Sequence, residues 1–322
     1  MLGCVPDGVR IGITGVGAYL PEGVLGNDEL AARLGVTADW INDRSGISER
    51  RVIAEGEGVA TLAVQAAREA LDMAGIDPET VDLVIVATAT PELVTPATAA
   101  PVAAELGATR AAALDISAAC TGFVYALAHA YAAIAAGLAQ RALVVGAEAL
   151  SRVTDLDDRG TAILFGDGGG AVTLDRVAAG GFRGFELGCD GSRADDLTLA
   201  LGGTIRMNGA AVYRFSTREV PASVERLLTR CRAALDEVDL YAPHQSNMRI
   251  IDHTIRRLGL PAGKLLSNID RVGNTSAASI PLVLAEAARE GRLESGTTVL
   301  MTAVGAGLTW GSALLAWDLE AA

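Results

Sequence analysis

The sequence predicts an α/β protein built from two copies of one β/α unit, and three observations carry that reading. The first is a repeated order. Ala70-Leu71-Asp72 through Val81-Asp82-Leu83-Val84-Ile85-Val86-Ala87 resembles Ala234-Leu235-Asp236-Glu237-Val238-Asp239-Leu240-Tyr241-Ala242. Each is followed by a helical stretch, a Leu-Gly pair (Leu106-Gly107, Leu258-Gly259), a short strand, a turn rich in Ser and Ala, a long apolar helix and a last strand. Similar order at similar spacing means a unit of about 150 residues occurring twice, with halves 1–178 and 179–322. The second observation is that the strands are mostly apolar, which implies sheets covered on both faces by helices. The third is a pair of largely apolar helices, 121–139 and 276–288, one in each half, the first without a charge and the second with Glu286 alone. Packed together in a middle layer, they bring Cys120 and Asn274 to one end of it.

Taken in order, residues 11–18 alternate apolar residues with Gly and Thr and end at Tyr19-Leu20-Pro21, as a strand entering a turn does. Asn27 suits the N-cap of a short helix over 28–34, and Thr37-Ala38-Asp39-Trp40-Ile41 starts another that closes at Ser45-Gly46. Helical periodicity over 60–74 precedes a strand over 81–87 and a helix over 98–106. A strand over 112–116 turns at Ser117-Ala118-Ala119-Cys120 into the first charge-free helix, and a strand over 142–146 follows. Phe165-Gly166-Asp167-Gly168-Gly169-Gly170 lacks GxGxxG spacing and a phosphate-binding Lys, so it reads as a tight turn between strands. In the second half a strand over 238–242 ends at Pro243-His244-Gln245-Ser246-Asn247. Gly273-Asn274-Thr275-Ser276 opens the second of the paired apolar helices, and a strand over 298–302 runs to the glycine-rich turn Gly305-Ala306-Gly307-Leu308-Thr309-Trp310-Gly311.

Composition narrows the function. Half of the 322 residues are hydrophobic and 20% are charged, enough for a large interior. Lys and Arg number 26 against 39 Asp and Glu, a net charge of −13, which disfavours nonspecific binding to nucleic acid or an anionic membrane. A polyanionic ligand then needs a local basic patch. Cys4, Cys120, Cys189 and Cys231 are scattered without a CxxC pair, so reduced thiols in a cytoplasm are expected rather than disulfides or a metal site. Residues 1–10 carry Asp7 and Arg10 and no apolar leader. The charge-free run 116–140 is mostly Ala and Gly, which suits a helix buried on all sides in a soluble core better than a membrane span.

Few residues are candidates for chemistry. Cys120 sits between a strand and a helix, where the positive end of the helix dipole and unpaired amides lower the cost of a thiolate. A small core hydrophobe is the alternative. Of three histidines, His129 reads as a buried, hydrogen-bonded core residue and His253, beside Asp252 and Arg256, as part of a solvated helix face. His244 differs, because it follows the carboxyl end of a strand, where ligands gather in α/β sheets; capping of the next helix is the alternative. Asn274 either caps its helix or faces Cys120 as its counterpart. The turn at Gly305-Ala306-Gly307 is a hairpin or a source of amides for an oxyanion.

These motifs together resemble the β-ketoacyl-acyl carrier protein synthase III family. The likeness rests on Asp39-Trp40-Ile41 with Arg44-Ser45-Gly46-Ile47, on Asp158-Arg159-Gly160-Thr161 with Phe165-Gly166-Asp167-Gly168, and on the Ala-Ala-Cys turn. It extends through Pro243-His244-Gln245-Ser246-Asn247, Gly273-Asn274-Thr275-Ser276-Ala277-Ala278-Ser279 and the final Gly-Leu-Thr-Trp-Gly, from about residue 11 to residue 317. The resemblance implies a thiolase fold with five layers, α-β-α-β-α, and a catalytic triad of Cys120, His244 and Asn274. It implies an oxyanion hole of the Cys120 and Ala306 amides, Ala306 standing where many relatives have Gly. Trp40 would stack on the adenine of CoA, Arg44 and Arg159 would meet its phosphates, and Asn247 would lie by the pantetheine arm. Ala210 replaces an Asn common there. Arg249, Arg256 and Arg257, at spacings of seven and eight on one helix, would dock an acidic carrier protein. Phe165, and Thr95 contributed before Pro96 by the partner subunit of a homodimer, would border the acyl pocket. The implied reaction moves an acyl group from acyl-CoA to Cys120 and condenses it with malonyl-acyl carrier protein, with loss of carbon dioxide, in fatty acid biosynthesis. No metal or redox cofactor is expected. A secondary-metabolism homologue, priming a polyketide or using another acceptor, is the alternative.

Overall fold

A computed structural model describes residues 9–318. Two sheets share one topology. The first runs β1 (Ile11–Tyr19), β7 (Gly168–Arg176), β6 (Ala142–Glu148), β4 (Leu83–Ala87) and β5 (Ala112–Ile116), antiparallel across the first three strands and parallel thereafter. The second runs β8 (Gly181–Cys189), β13 (Thr309–Ala316), β12 (Thr298–Gly305) and β11 (Leu240–Pro243) with the same succession of antiparallel and parallel pairs. A parallel bridge between Tyr241 and Leu265 stands where β5 stands in the first sheet. The short strand expected after Leu258-Gly259 is reduced to that bridge. Two ribbons, β2 (Gly23–Gly26) with β3 (Glu49–Val52) and β9 (Leu197–Leu199) with β10 (Ile205–Met207), complete the strands. The proposed division between residues 178 and 179 falls in the turn from β7 to β8.

The helices fill three layers. On the outer face of the first sheet lie α3 (Val59–Ala74) and α4 (Ala99–Leu106), and on that of the second α6 (Gly209–Cys231) and α7 (Met248–Leu258). Between the sheets, α5 (Gly122–Ala135) and α9 (Ser279–Arg289) each touch strands of both. The order is therefore α-β-α-β-α. The remaining helices, α1 (Asn27–Leu34), α2 (Ala38–Ser45) and α8 (Ile269–Val272), belong to the connections around one end of the middle layer.

The middle layer explains why α5 and α9 are so apolar. Phe123 and Leu127 of α5, Ile280 and Leu284 of α9, Val144 of β6 and Met301 of β12 form one buried cluster. Each such side chain contributes about 1.5–3 kcal/mol when fully buried, and a charge among them would have no water to solvate it. The helix is nevertheless not enclosed on all sides. His129 is exposed, although its Nδ1 lies 2.7 Å from the Tyr125 carbonyl, and Leu138 beyond the helix is 84% exposed. A run of Ala is tolerated on either side of a helix, so lack of charge is a weaker sign of burial than it looks.

Two further expectations are corrected. Gly26, not Asn27, is the N-cap of α1. The Asn27 amide instead donates to the Ile47 carbonyl and accepts from Arg50, a fully buried guanidinium whose need for acceptors outweighs the value of a cap. Gly168, Gly169 and Gly170 do not form a tight turn but open β7, where a Cβ on Gly169 would stand 2.5 Å from the Leu62 carbonyl of α3. Cys4 lies outside the described residues; Cys120, Cys189 and Cys231 form no disulfide among the described residues. Among the described residues no helix is long and apolar enough to cross a membrane.

Candidate active site

Each half supplies one tight turn to the same place. After β5, the 3-10 turn Ala119–Thr121 carries Cys120 into α5, and in the other half the 3-10 turn Ser276–Ala278 leads into α9. Both turns use a left-handed residue, Ala119 at φ 47° and Ser276 at φ 48°. For a residue with a Cβ this conformation costs roughly 1–2 kcal/mol, and the packing of the opposing half holds it. That packing depends on two glycines. A Cβ on Gly146 of β6 would stand 2.2 Å from the Ala277 carbonyl, and one on Gly305 of β12 would stand 2.9 Å from the Cys120 amide nitrogen. Each sheet thus offers a bare strand end to the turn of the other half.

Around Cys120 a cavity of about 540 Å³ opens to the surface. Cys120, His244 and Asn274, exposed by only 9%, 4% and 5%, lie at its inner end. The three residues expected to act together are brought together. His244 follows β11, and its Nδ1 stands 2.8 Å from Ser279 Oγ. Ser279 Oγ also lies 2.9 Å from the Ser276 carbonyl oxygen and 3.3 Å from the Gln245 amide nitrogen. Burial pushes the imidazole down to about 3, so the ring is neutral and one nitrogen carries the proton. The Asn274 Oδ1 accepts from the Ser276 amide at 2.9 Å. Asn274 is the N-cap of neither the 3-10 turn, where Thr275 holds that place, nor α9, where Ala278 does; its carbonyl closes a side-chain turn onto the Ser276 amide, which fixes the orientation of the NH2 group.

The thiol departs from expectation. Burial pushes Cys120 up to about 12 and the buried carboxyl of Glu148 adds to this, while the Ser276 hydroxyl and the local backbone oppose it. The helix start is real, but the opposing turn and β12 close over the sulfur and remove the water a thiolate would use. Glu148, at the end of β6, was not apparent as a site residue. Its signal was a lone charge ending an otherwise apolar strand.

Nearer the surface the cavity is lined by Trp40, Arg44, Arg159 and Asn247, and also by Arg214 and Arg249. Arg44 lies over the Trp40 ring at 4.4 Å, so a base stacking on that face must displace it. Arg159 Nε donates to the Leu34 carbonyl at 2.9 Å, which holds the side chain at the rim. Asn247 is the N-cap of α7, and its Nδ2 donates to the Arg44 carbonyl at 2.9 Å. It therefore joins two walls of the cavity. Arg249 lies over Tyr213 at 6.0 Å, while Arg256 and Arg257 are exposed on the last turn of α7. Arg214, an exposed residue of α6, had no sequence signal. Phe165 lines the cavity and bridges to Asn274. Thr95 is exposed and does not line it within one chain, nor does Ala306, whose neighbour Gly305 does. Ala306 sits in the β12–β13 turn outside the left-handed region, so no torsion reserved for Gly is required there. Among the described residues no cluster of three His, Cys, Asp or Glu could hold a metal ion.

Comparison with known proteins agrees with this geometry. Residues 114–191 match the family 3-Oxoacyl-[acyl-carrier-protein (ACP)] synthase III, and residues 228–317 its C-terminal counterpart. The chain is 46% identical to Beta-ketoacyl-[acyl-carrier-protein] synthase III of Desulfitobacterium hafniense (strain DSM 10664 / DCB-2), over 96% of this chain and 98% of that one. The solved 3-oxoacyl-[acyl-carrier-protein] synthase III from Aquifex aeolicus VF5 superposes with a TM-score of 0.93 at 43% identity, covering 96% and 100%. The priming β-ketosynthase of the R1128 polyketide pathway also superposes at 0.93, with 35% identity over 98% and 99%. By its two duplicated sheets, its paired turns and these likenesses along nearly its whole length, the chain belongs to the β-ketoacyl-acyl carrier protein synthase III family of thiolase-fold condensing enzymes.

Proposed function

We propose that Cys120 accepts an acyl group from acyl-CoA and that His244 and Asn274 then stabilise the enolate formed when malonyl-acyl carrier protein loses carbon dioxide beside it. The observation that carries this is the convergence of the three side chains on the buried end of one cavity with arginines at its mouth. A thiolate suits the first step because its product is still an activated thioester. The oxyanion of that step would be held by the amides of Cys120 and Ala306. In the second step the enolate oxygen takes hydrogen bonds from Asn274 Nδ2 and from His244 Nε2. The enolate needs the ring proton on Nε2; that tautomer requires Nδ1 to accept the Ser279 hydroxyl proton, 2.8 Å away, in place of the bond this hydroxyl donates to the Ser276 carbonyl. A neutral imidazole does not quench the carbanion, which attacks the Cys120 thioester and releases 3-ketoacyl carrier protein. This chemistry calls for no metal or redox group.

Trp40, Arg44 and Arg159 would hold the nucleotide of CoA, with Asn247 beside the pantetheine arm. Arg249, Arg256 and Arg257, joined by Arg214, would meet the acidic carrier protein on a chain whose net charge is −13. The exposed edge strand β5 and the loop with Leu93 and Val94, 59% and 78% exposed, support a homodimer in which Thr95 reaches the partner's acyl pocket beside Phe165. A cytoplasmic setting fits cysteines that form no disulfide among the described residues. A priming role in polyketide synthesis is the second reading, favoured by the R1128 likeness.

Incubation with a panel of acyl-CoAs, read by intact mass, tests the assignment. An adduct on Cys120 that disappears in Cys120→Ala is expected, and no adduct with any donor would sink both readings. An adduct that malonyl-acyl carrier protein does not convert to a 3-ketoacyl product would favour the second.

A further inference from the structure

Behind Cys120, on the side away from the cavity mouth, the reaction leaves one buried ionisable group unused. Glu148 ends β6 with no exposed surface. Its Oε1 accepts from the Ser276 hydroxyl at 2.9 Å and from the Ala89 amide at 3.2 Å. Its Oε2 accepts from the hydroxyls of Thr90 at 2.7 Å and Thr88 at 3.3 Å and from the Ala89 amide at 3.0 Å. No guanidinium or ammonium pairs with it among the described residues.

The segments that enclose it are the Thr88-Ala89-Thr90 loop and the two turns Ala119–Thr121 and Ser276–Ala278, and Cys120 is their one titratable side chain. Charges on the other elements packed against β6 are engaged elsewhere. Asp167 accepts from Ser151 and the Ile53 amide, and Arg141 pairs with Asp175 of β7. On α3 and α9, Arg68 pairs with Glu105, Glu69 with Arg289, and Glu286 with Arg271. Asp72 is exposed.

A buried carboxylate surrounded by donors but without a cation is a base in waiting. We propose that Glu148 stores the Cys120 proton during turnover, the Ser276 hydroxyl being the link between them. The proposal rests on the acyl-transfer reading. In the resting enzyme the thiol is protonated and the carboxylate charged. As sulfur attacks the thioester carbonyl, the S–H bond breaks, its proton goes to Ser276 Oγ, and the Ser276 proton goes to Glu148 Oε1. The pocket keeps a single negative charge, which moves from carboxylate to sulfur and then to the departing CoA thiolate, and that thiolate takes a proton from water on release. Glu148 stays neutral while the malonyl carboxylate is lost and the enolate forms, so no fixed anion opposes either. When the tetrahedral adduct collapses, the Cys120 thiolate recovers the stored proton through Ser276. The net proton consumed by the cycle is the one given to CoA.

The shifts agree with this exchange. Burial raises Glu148 to about 7, and its charge is one reason that the Cys120 thiol is raised. The pair therefore titrates as a unit.

The test is the pH dependence of Cys120 alkylation by iodoacetamide between pH 5.5 and 9.5, read by peptide mass so that the exposed Cys189 does not interfere. His244, pushed down to about 3, does not titrate in this range. The native enzyme is expected to show an inflection near pH 7 followed by a plateau. In Glu148→Gln the inflection disappears and alkylation and acylation at pH 7 fall at least tenfold, while malonyl-acyl carrier protein decarboxylation without primer stays within twofold. Ser276→Ala reproduces this split and decides the matter by the same readings if Glu148→Gln does not fold. An inflection unchanged in the variants, or equal loss in both half-reactions, overturns the proposal. Alkylation needs no acyl donor. A protein showing the inflection but accepting no acyl group would fail the functional reading and leave the proton store standing.

Discussion

Gly305 is where a single methyl group should do the most damage to catalysis for the least change in chemistry. A Cβ built there stands 2.9 Å from the Cys120 amide nitrogen, 3.0 Å from the Thr121 amide nitrogen and 3.2 Å from the Ala118 carbonyl oxygen. All three are backbone atoms of one tight turn, so no side chain can swing aside to make room. The backbone of Gly305 itself is not left-handed, which means that Gly305→Ala is a steric test without a torsional penalty. Either the turn retreats from β12 or the β12–β13 hairpin moves outward. Both separate the Cys120 amide from the Ala306 amide that would share the oxyanion with it. Loss of one donor in such a hole costs about 2.7–4 kcal/mol, or 10²–10³ in rate. Overpacking itself costs roughly 1–3 kcal/mol of stability. Single-turnover acylation by an acyl-CoA, followed by intact mass, should therefore slow by 10²–10³ in Gly305→Ala while the protein remains folded by circular dichroism. Acylation within threefold of the native rate in the folded variant would refute the assignment of this turn as the oxyanion hole.

Three other outcomes are expected. Asn274→Ala should acylate Cys120 nearly normally but lose about 10² in malonyl-acyl carrier protein decarboxylation, measured as carbon dioxide release; equal loss in both would contradict the division of roles. Trp40→Ala should raise the KM for acyl-CoA about tenfold with little change in kcat, because a stacking contact of 1–2 kcal/mol far from the reacting carbon is made equally in ground and transition states. Acid stability should depend on His244. Its folded value of about 3 lies below the usual 6.5, so the native state binds fewer protons than the unfolded chain between those values and stability falls as pH falls through that window. From pH 7 to pH 4 the loss assigned to this ring is about 3 kcal/mol. Urea melts should show His244→Gln gaining that much on the native protein at pH 4 relative to pH 7, and a constant gap would disprove the cause.

The proposed catalytic constellation was legible because each member sits where sequence marks a break. Cys120 and Asn274 open largely apolar helices, and His244 follows Pro243 at the end of an apolar strand. Periodicity and turn residues place such positions without knowledge of the rest of the fold. What escaped depends on the other half of the molecule. The thiol looked activated because its own helix is local, whereas the burial that raises it comes from β12 and the Ser276 turn, more than a hundred residues away. Arg214 escaped because an exposed arginine on a long helix carries no sign of which cavity it borders. His129 escaped in the opposite sense, since a stretch of Ala and Tyr hid an exposed stripe.

The duplication itself explains why the site has this chemistry. Two copies of one strand-turn-helix unit meet at their turns, each with a left-handed residue at nearly the same angle, Ala119 and Ser276, and each resting on a glycine of the opposite sheet. Identical backbones would give a symmetric pair of nucleophiles or a symmetric pair of caps. The condensation needs neither, because it joins an electrophile held on sulfur to a carbanion that must be stabilised a bond length away. Placing Cys at one turn and Asn two residues before the strained position of the other would, on the proposed roles, divide these tasks between the halves. The Asn274 carbonyl is consumed by the Ser276 amide at 2.9 Å, which leaves its NH2 group, 3.4 Å from the Ser246 carbonyl, as the donor at the inner end of the cavity. Asn274→Asp would keep the acceptor for the Ser276 amide and replace that donor with a lone pair. Acylation should then survive while decarboxylation falls further than in Asn274→Ala, since a carboxylate repels the enolate that a methyl group merely fails to stabilise. If Asp decarboxylated faster than Ala, the side chain would be acting through its bond to the Ser276 amide alone, and the asymmetry between the halves would have another origin.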